Sequence, residues 1–180
     1  MPKPTDAPLH SPLAALAALR AGHRRYLTGT APASPAGTPA PTVAVFGCAD
    51  PQPAAETLFP GVELYVVRTA GLAVGPSVLG SLEYAVDQLG VPLVVVLGHD
   101  GCGPASGTGD SQVRRTAALL LDRSALLARA VHENRCAVVG MSWRPGPGQV
   151  RPVPRVVPAP ATRLPSRARP PAARPAGAPR

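Results

Sequence analysis

Residues 93–103 read Leu93-Val-Val-Val-Leu-Gly-His-Asp-Gly-Cys-Gly103. Five consecutive apolar residues without alternation describe a strand covered on both faces, as the strands of parallel sheets are. The run stops at a glycine, and an imidazole and a thiol follow within four residues. The same arrangement recurs upstream, where Val43-Ala-Val-Phe46 runs into Gly47-Cys-Ala-Asp50. Leu64-Tyr-Val-Val67 predicts another strand ending at Arg68, and Cys136-Ala-Val-Val139 a fourth. Between them, Pro76 opens a helix through Leu89, with Val78, Leu79, Leu82, Ala85, Val86 and Leu89 facing inward, and residues 111–132 make another. Strands alternating with helices predict an α/β fold, a mainly parallel central β-sheet flanked by helices. In such sheets ligands gather beyond the carboxyl ends of the strands, and Cys48 and His99 both fall one or two residues past a strand end.

The flanks read differently. Ser11-Pro12 is a helix start, a capping hydroxyl followed by proline at the first helical position. Leu13, Leu16, Leu19 and Leu27 then fall roughly on one face of a helix over 12–27, and Thr28 to Thr42 reads as a linker. At the other end, residues 144–180 hold eight arginines and eleven prolines with no acidic residue, so the net charge of +8 resides there. Residues 1–143 sum to zero, with ten basic and ten acidic side chains. A segment of that composition cannot bury enough surface to offset its ordering entropy, which predicts a disordered Pro/Arg-rich C-terminal tail. A short hairpin over Trp143 to Val153 is the one structured element it could add, against Pro145 and Pro147. The tail is read as a solvated appendage, with a polyanion contact as the alternative. It has no aromatic residue beyond Trp143 on which bases could stack, and nucleic acid is not expected as a partner. The apolar run Pro92 to Leu97 is far shorter than a membrane helix, and the Pro12–Leu19 stretch lacks the basic start of a secretory signal. A cytoplasmic location is expected.

Three cysteines and four histidines invite a metal reading. His99-x-x-Cys102 sets an imidazole and a thiol in one glycine-flanked turn, and Cys48-x-Asp50 adds a thiol and a carboxylate. Two thiolates and an imidazole suit zinc, and three protein ligands with an exchangeable fourth position is the catalytic arrangement. The competing reading makes Cys48 and Cys102 core thiols and His99 a satisfied strand-end residue. Cys136 begins a strand and reads as a small buried hydrophobe. His10 and His23 read as solvent-exposed, and His132 as a cation at a helix end. An odd cysteine count argues against a disulfide scaffold.

Four motifs together carry a family resemblance: Phe46-Gly-Cys-Ala-Asp50, Tyr65-Val-Val-Arg-Thr-Ala-Gly71, Pro76-Ser-Val-Leu-Gly-Ser-Leu-Glu-Tyr84 and Val95-Val-Leu-Gly-His-Asp-Gly-Cys-Gly103. In order and spacing they resemble the β-class carbonic anhydrases over residues 43–104, and faintly through 113–140. The resemblance implies zinc held by Cys48, His99 and Cys102, with Asp50 either off the metal or closing its fourth position. It implies zinc-dependent reversible hydration of carbon dioxide to bicarbonate by a zinc-bound hydroxide, with Asp50 as the catalytic gate. It further implies a homodimer or larger assembly. Residues 1–42 then form an N-terminal helical arm and linker, 43–143 the zinc-binding α/β domain, and 144–180 the tail.

Two departures bear on that activity. The family motif continues Cys-x-Asp-Ser-Arg, its arginine clamping the aspartate away from the metal, whereas this chain has Pro51 and Gln52. One amide replaces a guanidinium fork, which predicts a freed Asp50 able to exclude the reacting water. Only 33 residues separate Cys102 from Cys136, where family members carry a longer, mainly helical stretch. The alternatives are accordingly an impaired zinc-binding relative closed by Asp50, or a polyanion-binding protein acting through its tail.

Overall fold

The computed structural model describes residues 11–30, 40–50, 53–103 and 109–154. Its centre is a five-stranded sheet in the order β2-β1-β3-β4-β5, built from β1 (Val43–Cys48), β2 (Leu64–Thr69), β3 (Leu93–His99), β4 (Ala137–Arg144) and β5 (Gln149–Val153). The first four are mutually parallel and β5 is antiparallel to β4. Helices α1 (Pro12–Thr28) and α2 (Ala55–Leu58) cover one face. The other carries α3 (Pro76–Asp87), α4 (Gly109–Arg123) and α5 (Ala125–His132).

The apolar run of β3 explains the layering. Leu93, Val95 and Leu97 pack with Leu19 and Leu58 on the first face, while Val94 and Val96 pack with Leu82, Val113 and Leu120 on the second. Every residue of β1 and of β3 is buried. A strand lying between two helical layers has no solvent face, so its sequence has no polar alternation.

Several expectations need correction. The helix over 111–132 is two helices: Ser124 breaks it, and its hydroxyl accepts the N–H of Leu127 to cap α5. The same hydroxyl donates to Glu83 Oε1 at 2.6 Å and so ties α5 to α3. On α1 the buried residues are Ala15, Leu19 and Gly22, whereas Leu13 is 80% exposed and Leu27 47%. Gly22 belongs there because a Cβ would lie 2.8 Å from a Val62 methyl. Thr28 belongs to α1 rather than to the linker, and linker residues 31–39 lie outside the described residues. The short hairpin expected over Trp143 to Val153 is present as the antiparallel β4–β5 pair, so residues 149–153 are the edge strand of the sheet and the boundary of the tail moves past them. The expected disorder of 155–180 concerns residues outside those described.

Candidate metal centre

Parallel neighbours end together. Gly47 of β1 is in register with Leu97 of β3, so Cys48 and His99, 51 positions apart in sequence, emerge side by side at the carboxyl edge of the sheet. Past β3 the chain turns at Gly101, whose φ of 74° is in the left-handed region that glycine enters at little cost. That turn returns Cys102 to within 3.6 Å of Cys48, sulfur to sulfur. Asp50 follows β1 by two residues, and its Oδ2 stands 3.5 Å from His99 Nε2. The potential ligand atoms of Cys48, Asp50, His99 and Cys102 all lie within 4.8 Å of one another. The four residues singled out in the sequence thus converge.

Around them the backbone is shaped to hold charge on sulfur. Cys48 Sγ accepts N–H groups from Asp50 at 3.4 Å and from Gly71 at 3.3 Å. Burial raises the Cys48 thiol. The Asp50 N–H, the His99 ring, the Gly71 N–H and the Cys102 sulfur together outweigh it and leave the group below the ordinary thiol range. Gly71 sits in a 3-10 turn, Ala70–Leu72, where Gly71 and Leu72 have φ of 61° and 58°. From α4, Gln112 donates to the Gly71 carbonyl at 3.0 Å and pins that turn. Neither Gln112 nor the turn was singled out by sequence reasoning; the signal lay in the Arg-Thr-Ala-Gly segment, which sits beside Cys48 because β2 pairs with β1.

His99 Nδ1 lies 3.1 Å from the Asp100 carbonyl. A carbonyl can only accept, so Nδ1 carries the proton and Nε2 presents its lone pair to the cluster. Nε2 is buried and has no hydrogen-bond partner among the described residues. A buried imidazole nitrogen facing two thiols and a carboxylate, with Asp50 Oδ2 at 3.5 Å, completes the donor set of a borderline-soft divalent ion, and these residues fit zinc. Asp50 Oδ2 accepts the Gly103 N–H at 3.0 Å. Arg68 does not clamp the carboxylate: its guanidinium donates to the main-chain carbonyls of Cys48, at 2.8 Å, and Asp50, at 2.9 Å. Gln52 and Pro51 lie outside the described residues.

The remaining candidates fall elsewhere. Cys136 is buried apart from the cluster, and burial pushes its thiol up to about 11. His132 closes α5. His23, expected in solvent, is half-buried and bonded at both ring nitrogens, to the Leu58 carbonyl at 3.3 Å and the Val150 N–H at 2.9 Å. His10 lies outside the described residues.

An α/β sheet with such a cluster at its carboxyl edge presents a candidate metal site where ligands of parallel sheets gather. The carbonic anhydrase family model matches residues 43–118. A carbonic anhydrase of Mycolicibacterium smegmatis is 41% identical over 147 residues, covering 68% of this chain and 71% of that protein. Carbonic anhydrase 2 of Mycobacterium tuberculosis (strain H37Rv) is 48% identical over 108 residues, covering 53% of this chain and 52% of that protein. The chain thus spans about half the length of that relative. Among solved structures, carbonic anhydrase from Streptococcus mutans has a TM-score of 0.54 at 22% identity, covering 77% of this chain and 97% of that one. The β-carbonic anhydrase CafA of Aspergillus fumigatus gives 0.54 at 21%, covering 63% and 75%. These two likenesses concern the fold. The chain belongs to the β-class carbonic anhydrase family.

Proposed function

We propose that this chain binds one zinc ion through Cys48, His99 and Cys102 and catalyses the reversible hydration of carbon dioxide to bicarbonate, with Asp50 gating the fourth position. The observation that carries this reading is the convergence of the four ligand atoms within 4.8 Å at the ends of two neighbouring strands. Zinc supplies, when bound, Lewis acidity and a lowering of the pKa of water towards about 7. Cys48 and Cys102 bring two thiolate charges that neutralise a divalent ion. The N–H groups of Asp50 and Gly71 draw charge off the Cys48 sulfur, which restores acidity that two thiolates would otherwise remove. The Asp100 carbonyl fixes the His99 tautomer.

Asp50 favours a second state of the same site. Its carboxylate already lies among the other three donors and is held there by the Gly103 N–H. With Arg68 engaged on main-chain carbonyls, no described guanidinium holds the carboxylate away. In that state the chain keeps its metal and hydration waits on Asp50 moving aside. Three cysteines outside any disulfide fit a reducing, cytoplasmic compartment. The outer edge of β2, paired only with β1 among the described strands, supports a homodimer.

Stopped-flow carbon dioxide hydration by the zinc-loaded chain tests the reading. Gln52→Arg, which restores a clamp for Asp50, is expected to raise the rate about tenfold or more. Absence of hydration in both proteins, with zinc bound, would remove the enzymatic assignment.

A further inference from the structure

Away from the metal cluster, α1, the residue following α2 and the β4–β5 edge line a half-open cavity of about 250 Å³. Its walls are apolar: Leu19, Phe59, Met141, Val150 and Pro152. Its rim is cationic, formed by Arg20 and Arg24, one helical turn apart on α1. Both arginines are exposed, and neither has a carboxylate or carbonyl partner among the described residues. Like charges four positions apart on a helix repel, and nothing described offsets this pair. Arg25, by contrast, is occupied, donating twice to the Pro60 carbonyl.

The third polar group of the cavity adds no charge. With Nδ1 donating to Leu58 and Nε2 accepting from Val150, His23 is a neutral ring engaged at both nitrogens. It braces the wall and leaves anion recognition to the two guanidinium forks.

We propose that this cavity is a binding site for a small amphipathic monocarboxylate, its hydrocarbon body against Met141, Val150 and Pro152 and its carboxylate held by Arg20 and Arg24. Planar guanidinium groups match a carboxylate in a way that a hydroxyl or amide does not. The apolar side chains beside the arginines argue against a site for an inorganic anion alone. Bicarbonate would leave its outer oxygens against Leu, Phe and Met side chains without donors. A concave, largely apolar space with a few polar groups at one end is the usual form of a small-ligand site.

The chain has two methionines, Met1 and Met141, so their methyl signals in an NMR titration report one position in the cavity wall and one far along the sequence. Hexanoate added to the full chain is expected to move the Met141 methyl saturably, with a Kd of about 1 mM or below. Hexan-1-ol is expected to bind about tenfold more weakly, and the double variant Arg20→Gln, Arg24→Gln to reduce hexanoate to the level of the alcohol. Both positions are exposed on α1, and an unchanged melting temperature checks that the variant is folded. No saturable shift at Met141, equal binding of hexanoate and hexan-1-ol, or the same shift produced by bicarbonate would each overturn the assignment. None of these readouts depends on hydration activity, so the site stands or falls separately from the metal centre.

Discussion

Cys48 is the residue around which the metal centre is assembled, and its neighbours decide how well it holds a cation. Asp50 and Gly71 donate to its sulfur through main-chain N–H groups, and Gln112 keeps the Gly71 turn in place from α4. Gln112→Ala is therefore expected to weaken zinc about 10- to 100-fold, measured by competition against a chromophoric chelator, with the fold retained. An unchanged affinity would show that the turn holds itself. Cys136 makes a different test of the same chemistry. Burial pushes its thiol up to about 11 in the folded chain, outweighing the main-chain groups of Val94 and Ala137 and the charge of Arg135. The unfolded chain gives that thiol its ordinary value of 9.0, so the native state favours the neutral form. The contribution is intact below 9.0 and is lost as pH rises from there through about 11. Urea unfolding at about pH 8 and about pH 10.5 is expected to show the parent losing about 2 kcal/mol more than Cys136→Ala. Equal losses would contradict it.

Elements pack here through glycines as much as through side chains. Gly98 of β3 and Gly140 of β4 leave room for Val113 of α4: a Cβ at Gly98 would meet one Val113 methyl at 2.4 Å, and at Gly140 the other at 2.6 Å. Gly140→Ala is expected to cost about 1–3 kcal/mol in chemical denaturation, and Val113→Ala in the same chain to recover part of it. Simple additivity would mean that the helix shifts instead. Ser124→Ala, which strips the α5 cap and its bond to Glu83, is expected to cost about 1–2 kcal/mol, again read by denaturation. How much of this was legible follows from the physics of each element. Strands β1 and β3 announced themselves because burial on both faces removes alternation, and the ligands were legible because they directly follow those runs. The break at Ser124 was masked by apolar periodicity that continues from Leu120 through Leu127, although a serine between two helical patterns is a cap signal. The four-residue α2 is too short to show a period. Strand β5 reads Gln149-Val-Arg-Pro-Val153, a proline-bearing edge strand whose inward Val153 finds its place only through long-range pairing with Gly140.

For the whole molecule, the metal centre ties together segments that secondary structure leaves separate. Cys48 ends β1 and Asp50 follows it, while His99 and Cys102 close β3 and its turn. An ion bound there stabilises the folded chain by mass action, about 4 kcal/mol when free metal exceeds its Kd a thousandfold. Chelation is accordingly expected to lower the melting temperature, and zinc to restore it. The charge of +8, by contrast, describes residues 144–180 and says little about the centre, since the first 143 residues are neutral overall. The most direct measurement is zinc per chain in the purified full-length protein by elemental analysis, alongside His99→Ala and Cys102→Ser. One zinc per chain in the parent, and a clear loss in both variants, is the predicted result. A parent without stoichiometric zinc after incubation with the ion, or variants that keep it fully, would contradict the assignment of these residues as one site.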